Sequence, residues 1–160
     1  MARANFLSAI AMLREWEGYK SDDPDDPGGA TVFGIARAFH RDIPWPPTWE
    51  QAQQIYLVEY WIGGGCDSLP FPMDMLHFDS CVNPGIGAAT KFLHDTGDHS
   101  DPYKRAVEYI DLRLRYYLNV VKKRPVSRKY LAGWTSRSLD FLERQVLTQW
   151  ALEETKGGNR

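Results

Sequence analysis

The chain has no long apolar run. Nowhere in its 160 residues does a stretch approach the ~20 consecutive apolar positions of a membrane-crossing helix. The opening segment MARANFLSAIAMLREWEGY places Phe6, Ile10, Leu13 and Trp16 three or four residues apart, and Arg14 and Glu15 interrupt it. That is one apolar face of a helix rather than the core of a secretion signal. Stable membrane insertion is therefore not expected. An excess of one charge is missing too: 19 Lys and Arg against 21 Asp and Glu leave a net charge of −2 and a pI near 6.1. Without a basic footprint, nucleic acid is not an expected partner, and recognition of any anionic polymer must be local. Cysteine is scarce. Cys66 and Cys81 make no disulfide framework, their spacing does not suit zinc, and no His pair lies nearby at ligand spacing. Two free thiols, buried or half-buried, are expected; a disulfide formed after export is the alternative, and no metal site is expected. Internal repeats and low-complexity blocks are also lacking. A hydrophobic content of 43% is enough for one core in a chain of this length.

What is present is concentrated between residues 17 and 35, EGYKSDDPDDPGGATVFGI. The apolar period predicts a helix over residues 5–16 with Asn5 as its N-cap, closed by Glu17-Gly18. A carboxylate at the negative end of a helix dipole, beside Trp16 and Tyr19, is poorly placed for stability and suited to donating a proton. Asp22, Asp23, Asp25 and Asp26 then crowd a turn with Pro24 and Pro27. Gly28 and Gly29 permit a hairpin bend, and Thr31, Val32 and Phe33 are β-prone. If the chain doubles back there, Glu17, Asp26 and Thr31 face one cleft. They would then supply a proton donor, a second carboxylate and a hydroxyl to hold water, the parts that hydrolysis of a sugar–sugar bond requires. Asp26 can instead bond the amides of the Gly28-Gly29 bend, and Thr31 can be simply a strand residue. A helix is expected from Gly34 to about residue 40, with His40 at the surface and without an acidic partner.

This stretch resembles glycoside hydrolase family 108, muramidases of phages and bacteria that cut peptidoglycan. The family motif reads roughly EGGY, a short acidic turn, then DPGGAT and an aromatic before GI. Laid on without gaps, Glu17 takes the motif glutamate, Asp26-Pro27-Gly28-Gly29-Ala30-Thr31 matches as it stands, and Phe33-Gly34-Ile35 follows in register. One departure concerns the loop beside the acid: Tyr19-Lys20 stand where the family has Gly-Tyr. Phe78-Asp79 and Val82-Asn83 with Gly85 resemble a second family motif, on a helix lining the far side of the cleft. Asp79 and Asn83 share one helical face. Asp79 is the alternative second carboxylate, and Asn83 either caps the next helix or reaches the cleft.

Elsewhere, IPWPP (residues 43–47) reads as a stiff linker, and Thr48 with Gln51 forms a capping-box signature for a helix over residues 49–62. Tyr56, Tyr60 and Trp61 on that helix are read as core, with a surface on which sugar rings stack as the alternative. Gly63-Gly64-Gly65 ends it. Asp101-Pro102 opens the longest helical pattern, over residues 103–124, with Val107, Ile110, Leu114 and Tyr117 or Leu118 on the buried face. Arg113, Arg115, Lys122, Lys123 and Arg124 are read as solvated. RKYLAGWTSR, residues 128–137, resembles the family's C-terminal helical region, classed there as peptidoglycan-binding, and a last helix is expected over residues 135–154.

The resemblance implies a mainly α fold of lysozyme type (α+β), a helical globule with a small β-hairpin lobe forming a substrate groove. Residues 1–97 would be the catalytic region and residues 98–160 a helical region packed into the same globule. The implied activity is cleavage of the β-1,4 bond between N-acetylmuramic acid and N-acetylglucosamine in bacterial peptidoglycan by a monomer, without cofactor or metal. Glu17, Asp26 and Thr31 would be catalytic, and Tyr19, Phe33, Tyr60, Asp79 and Asn83 would contact substrate. Made in the cytoplasm, the protein would reach the wall by holin-type release or dedicated secretion. A lytic transglycosylase, or a wall-binding phage component without catalysis, are the competing readings.

Overall fold

The computed structural model describes residues 2–18, 20–21 and 30–157. The fold is mainly α with one small antiparallel sheet. Helix α1 (Ala2–Glu17) starts earlier than its sequence signal suggested. Asn5 is therefore inside the helix, and its side-chain amide donates to Asp74 Oδ2 at 2.7 Å instead of capping. The helix stops at Glu17 because Gly18 takes a left-handed conformation, φ +65°.

Strands β1 (Lys20–Ser21), β2 (Thr31–Val32) and β3 (Ile35–Ala36) form the sheet in that order. Val32 lies opposite Ile35 and Thr31 opposite Ala36. The loop between β2 and β3 is thus two residues, Phe33 (φ +52°) and Gly34 (φ +75°), both left-handed as in a type I′ turn. The helix expected from Gly34 onward is absent for this reason: the chain reverses and continues as β3. Phe33 is an unusual residue for a positive φ. Its carbonyl accepts from the Tyr56 hydroxyl at 2.9 Å, and its ring meets Trp49 edge-on, with centroids 5.3 Å apart. Val32 and Ile35 are buried, so this pair fixes which face of the hairpin meets the helices. The expected bend at Gly28-Gly29 lies outside the described residues.

Helix α2 (Trp49–Ile55) begins with the predicted capping box: Thr48 Oγ1 accepts from the Gln51 amide, and the Gln51 side chain accepts from the Thr48 amide. It runs on as a wider π-type segment, Tyr56–Ile62. Phe6, Trp61 and Phe78 then pack as three mutually contacting rings, with centroids 5.4 to 5.7 Å apart. Tyr56 and Trp61 are core residues. His40 departs from its reading as a surface residue without an acidic partner, because its Nε2 lies 3.1 Å from Glu59 Oε2.

Helix α3 (Met73–Ser80) is buried along its whole length. A π-type turn, Cys81–Gly85, follows; Pro84 lies within it and Gly85 (φ +98°) releases the chain into α4 (Ile86–Asp95). Cys66 and Cys81 are free and buried. The hydrogen bond with Cys66 depresses the Cys81 thiol against the opposing effect of burial, helped by a bond to His77.

Helix α5 (Pro102–Lys123) is capped by Asp101, whose side chain accepts from the Tyr103 amide at 2.9 Å, with Pro102 at the first helical position. Its buried face is Tyr103, Ala106, Tyr109, Ile110, Arg113 and Tyr117. Val107 and Leu118 are exposed, and Arg113, read as solvated, is 0% exposed. A 3₁₀ segment (Pro125–Tyr130) leads to α6 (Leu131–Phe141), which continues through a π-type stretch (Leu142–Leu147) into α7 (Thr148–Gly157). Among the described residues no helix is long and apolar enough to cross a membrane.

Candidate active site

Glu17, the last residue of α1, is partly exposed, with 21% of its side chain accessible. It borders a pocket of about 350 Å³ whose other walls include Asn83, Lys129, Tyr130, Trp134 and Arg137. Two features hold the carboxylate. Arg137 Nη1, from α6, donates to Glu17 Oε1 at 2.7 Å. On the other side the backbone of Gly34 comes so close that a β-carbon there would lie 2.6 Å from Glu17 Oε2 and would also strike the Tyr56 hydroxyl. The β2–β3 turn therefore abuts the acid, and only glycine fits at its second position.

Behind Arg137 lies Asp79, 0% exposed. Its Oδ1 accepts from Arg137 Nε and Nη2 at 2.9 and 2.7 Å, and its Oδ2 from Arg113 Nη1 at 2.6 Å. Glu17, Arg137, Asp79 and Arg113 thus alternate in charge, which offsets the cost of removing them from water. Burial alone would raise the Asp79 carboxyl; Arg137 and Arg113 outweigh it and hold that carboxyl below the usual aspartate range. Burial would likewise favour a neutral Arg137, but Asp79 and then Glu17 keep its guanidinium charged. Arg113 Nε also donates to the Tyr117 hydroxyl at 2.9 Å, and Tyr117 donates to Asn83 Oδ1 at 2.5 Å. The Tyr117 and Trp134 rings stack, with centroids 4.9 Å apart and 21° between planes.

The predicted site residues are not all in one place. Glu17 and Asn83 border the same pocket. Asp79 does not reach the cleft as expected: it is enclosed beneath the site with both oxygens ion-paired, so it is not open to substrate or water. Phe33 packs against Trp49, under the guanidinium of Arg14, which sits 4.7 Å from the Trp49 ring. Tyr60 is half-buried with its ring 5.6 Å from Tyr56. Burial raises its phenol, with Glu59 and Glu17 adding to the effect. Thr31 is half-buried on β2, on the face opposite the buried Val32. Asp26 and Tyr19 lie outside the described residues. Among the described residues, no group of three or more His, Cys, Asp and Glu side chains is gathered as a metal would need.

Arg137, Arg113, Tyr117 and Trp134 were not singled out as site residues from sequence. The signal for Arg113 was its position three and four residues from Ile110 and Tyr117, on the buried stripe of α5. For Arg137 it was the closing residue of the RKYLAGWTSR run.

No match is found among curated proteins. A solved structure described as that of Brucella abortus SagA superposes with a TM-score of 0.65 at 24% identity, covering 88% of this chain and 97% of that one, a likeness of fold. Residues 10–85 match the family model described as glycosyl hydrolase 108. The resemblance carried by Glu17 and the run after it is thus shown over that segment.

Proposed function

We propose that this protein is a peptidoglycan hydrolase of muramidase type, cleaving the β-1,4 bond between N-acetylmuramic acid and N-acetylglucosamine, with Glu17 as the general acid. The observation that carries the reading is the Glu17 carboxyl at the edge of a pocket, with one oxygen held by Arg137 and the carboxylate hemmed in by the Gly34 turn. The glycosyl hydrolase 108 match over residues 10–85, which include Glu17 and Gly34, supports the substrate class. In the reaction, Glu17 gives its proton to the glycosidic oxygen as the C–O bond breaks and positive charge develops on the sugar ring. When Glu17 is protonated, Arg137 keeps its two bonds to Asp79, so the guanidinium never lacks an anionic partner. Water then adds to the sugar, activated or accompanied by a second carboxylate. Asp79 is enclosed, so that role falls to Asp26, with Thr31 placing the water. The protein works on the bacterial wall as a monomer, after holin-type release or dedicated secretion.

The test is digestion of purified peptidoglycan by wild type and Glu17→Gln, with soluble fragments read by mass spectrometry. Fragments with hydrated, reducing muramic acid ends, absent with a folded Glu17→Gln, are expected. Anhydro-muramyl ends would identify a lytic transglycosylase instead. Binding to the wall without fragments from either protein would identify a non-catalytic wall-binding component.

A further inference from the structure

Asp79 is a costly residue to enclose, and its neighbours show what that enclosure achieves. Among the described residues, every hydrogen bond to its carboxylate comes from a guanidinium, and each guanidinium continues to a different wall of the Glu17 pocket. One branch is short: Arg137 uses Nε and Nη2 on Asp79 and Nη1 on Glu17, so a planar, rigid fork sets the distance between the two carboxylates. The other branch is longer. Arg113 uses Nη1 on Asp79 and Ser80 Oγ, and Nε on the Tyr117 oxygen. Because that oxygen accepts from Arg113, the one phenolic proton of Tyr117 goes to Asn83 Oδ1. The Asn83 amide is thereby oriented. Its carbonyl end is committed to Tyr117, and its Nδ2 donors are the end it can present to the pocket it borders.

We propose that Asp79 is the common positioning residue for two functions of this pocket: through Arg137 it holds the proton-donating Glu17, and through Arg113 and Tyr117 it aims the Asn83 amide at a carbonyl acceptor of the substrate, the acetamido group of an N-acylated amino sugar. The proposal rests on the muramidase reading above. It adds that the two branches act on different kinetic quantities, because one orients a reacting group and the other a binding group. It also places Arg113, Tyr117 and Arg137, all beyond the segment matched to the family, among the residues that position the site.

The experiment measures kcat and KM on soluble, uncrosslinked glycan strands for wild type, Glu17→Gln, Arg137→Lys and Tyr117→Phe, each checked by thermal melting. A lysine at position 137 keeps a positive charge for Asp79 but lacks the fork that spans to Glu17. Arg137→Lys is expected to lower kcat about 10- to 100-fold with KM within twofold of wild type. Tyr117→Phe keeps the ring and removes the hydroxyl that fixes Asn83; KM should rise about fivefold, as for one lost hydrogen bond, with kcat within twofold. If wild type releases no fragments, or Glu17→Gln is equally active, the muramidase reading itself has failed. If those two behave as expected but Tyr117→Phe leaves KM unchanged, or both variants lower kcat alike, the two-branch positioning is overturned. Tyr117→Phe is nearly isosteric and decides the matter even if Arg137→Lys melts early.

Discussion

Gly34 offers the sharpest test of how the acid is housed. Replacing it with alanine has two separable effects. The first is conformational: φ is +75°, and a β-carbon in that region costs roughly 1–2 kcal/mol. The second is steric. The new carbon would lie 2.6 Å from Glu17 Oε2 and 3.0 Å from Glu17 Cδ, and would collide with the Tyr56 hydroxyl. Overpacking of this kind costs a further ~1–3 kcal/mol, and it can be relieved only by moving the carboxylate or the turn. Gly18 supplies the control, because it has nearly the same backbone (φ +65°), adjoins Glu17, and has nothing within 4 Å of the position a β-carbon would take. Urea unfolding, with m-values compared, should show Gly18→Ala losing only the conformational ~1–2 kcal/mol and Gly34→Ala losing about 2–5 kcal/mol. Because a displacement of ~1 Å at a reacting group costs on the order of 10²-fold, fragment release by Gly34→Ala should fall by about that factor. Equal destabilisation by the two substitutions, with Gly34→Ala still active, would refute the close approach of turn and acid.

Acid should unfold the protein through Asp79. Its carboxyl is depressed in the folded state, so the stability it contributes is fully present above the unfolded value near 3.9 and is lost as pH falls through the lower folded value. Urea midpoints measured from pH 6 downward should stay level to about pH 4 and then decline as far as that group is concerned, and Asp79→Asn should flatten the decline. At neutral pH the same substitution strands Arg113, leaves Arg137 with Glu17 alone, and should cost about 3–5 kcal/mol in the same assay. Thr48→Ala, which removes the capping-box acceptor of α2, should cost about 1 kcal/mol and leave fragment release unchanged; Thr48→Ser should restore stability.

Features legible in the sequence were those with local causes. The Thr48 capping box and the Asp101-Pro102 helix start depend on atoms within three residues of each other, and both formed as predicted. Glu17 stood out because a carboxylate at the negative end of a helix dipole is poorly placed for stability, and because the run after it resembles the glycoside hydrolase 108 motif. The errors share a different cause. Residues 33–36 make a hairpin rather than a helix start because Tyr56, 23 residues away, holds the Phe33 carbonyl. Asn5 looked like a cap, but its partner is Asp74, 69 residues on. Arg113 looked solvated because most helix arginines are, whereas its partner Asp79 lies 34 residues earlier on another buried helix. Charge read one residue at a time carries no sign of a remote counter-charge.

The bond between Arg137 and Glu17 spans 120 residues. At roughly 5–20 residues per second, a ribosome takes about 6–24 s to go from one to the other. During translation the whole Glu17–Ile35 run is therefore made well before the arginine that anchors its acid. Asp79 emerges in between and must wait for Arg113 before it can be buried at tolerable cost. Assembly of the acid's surroundings is thus a late event in synthesis, and a nascent chain interrupted before residue 137 would carry the glutamate without the guanidinium that holds it.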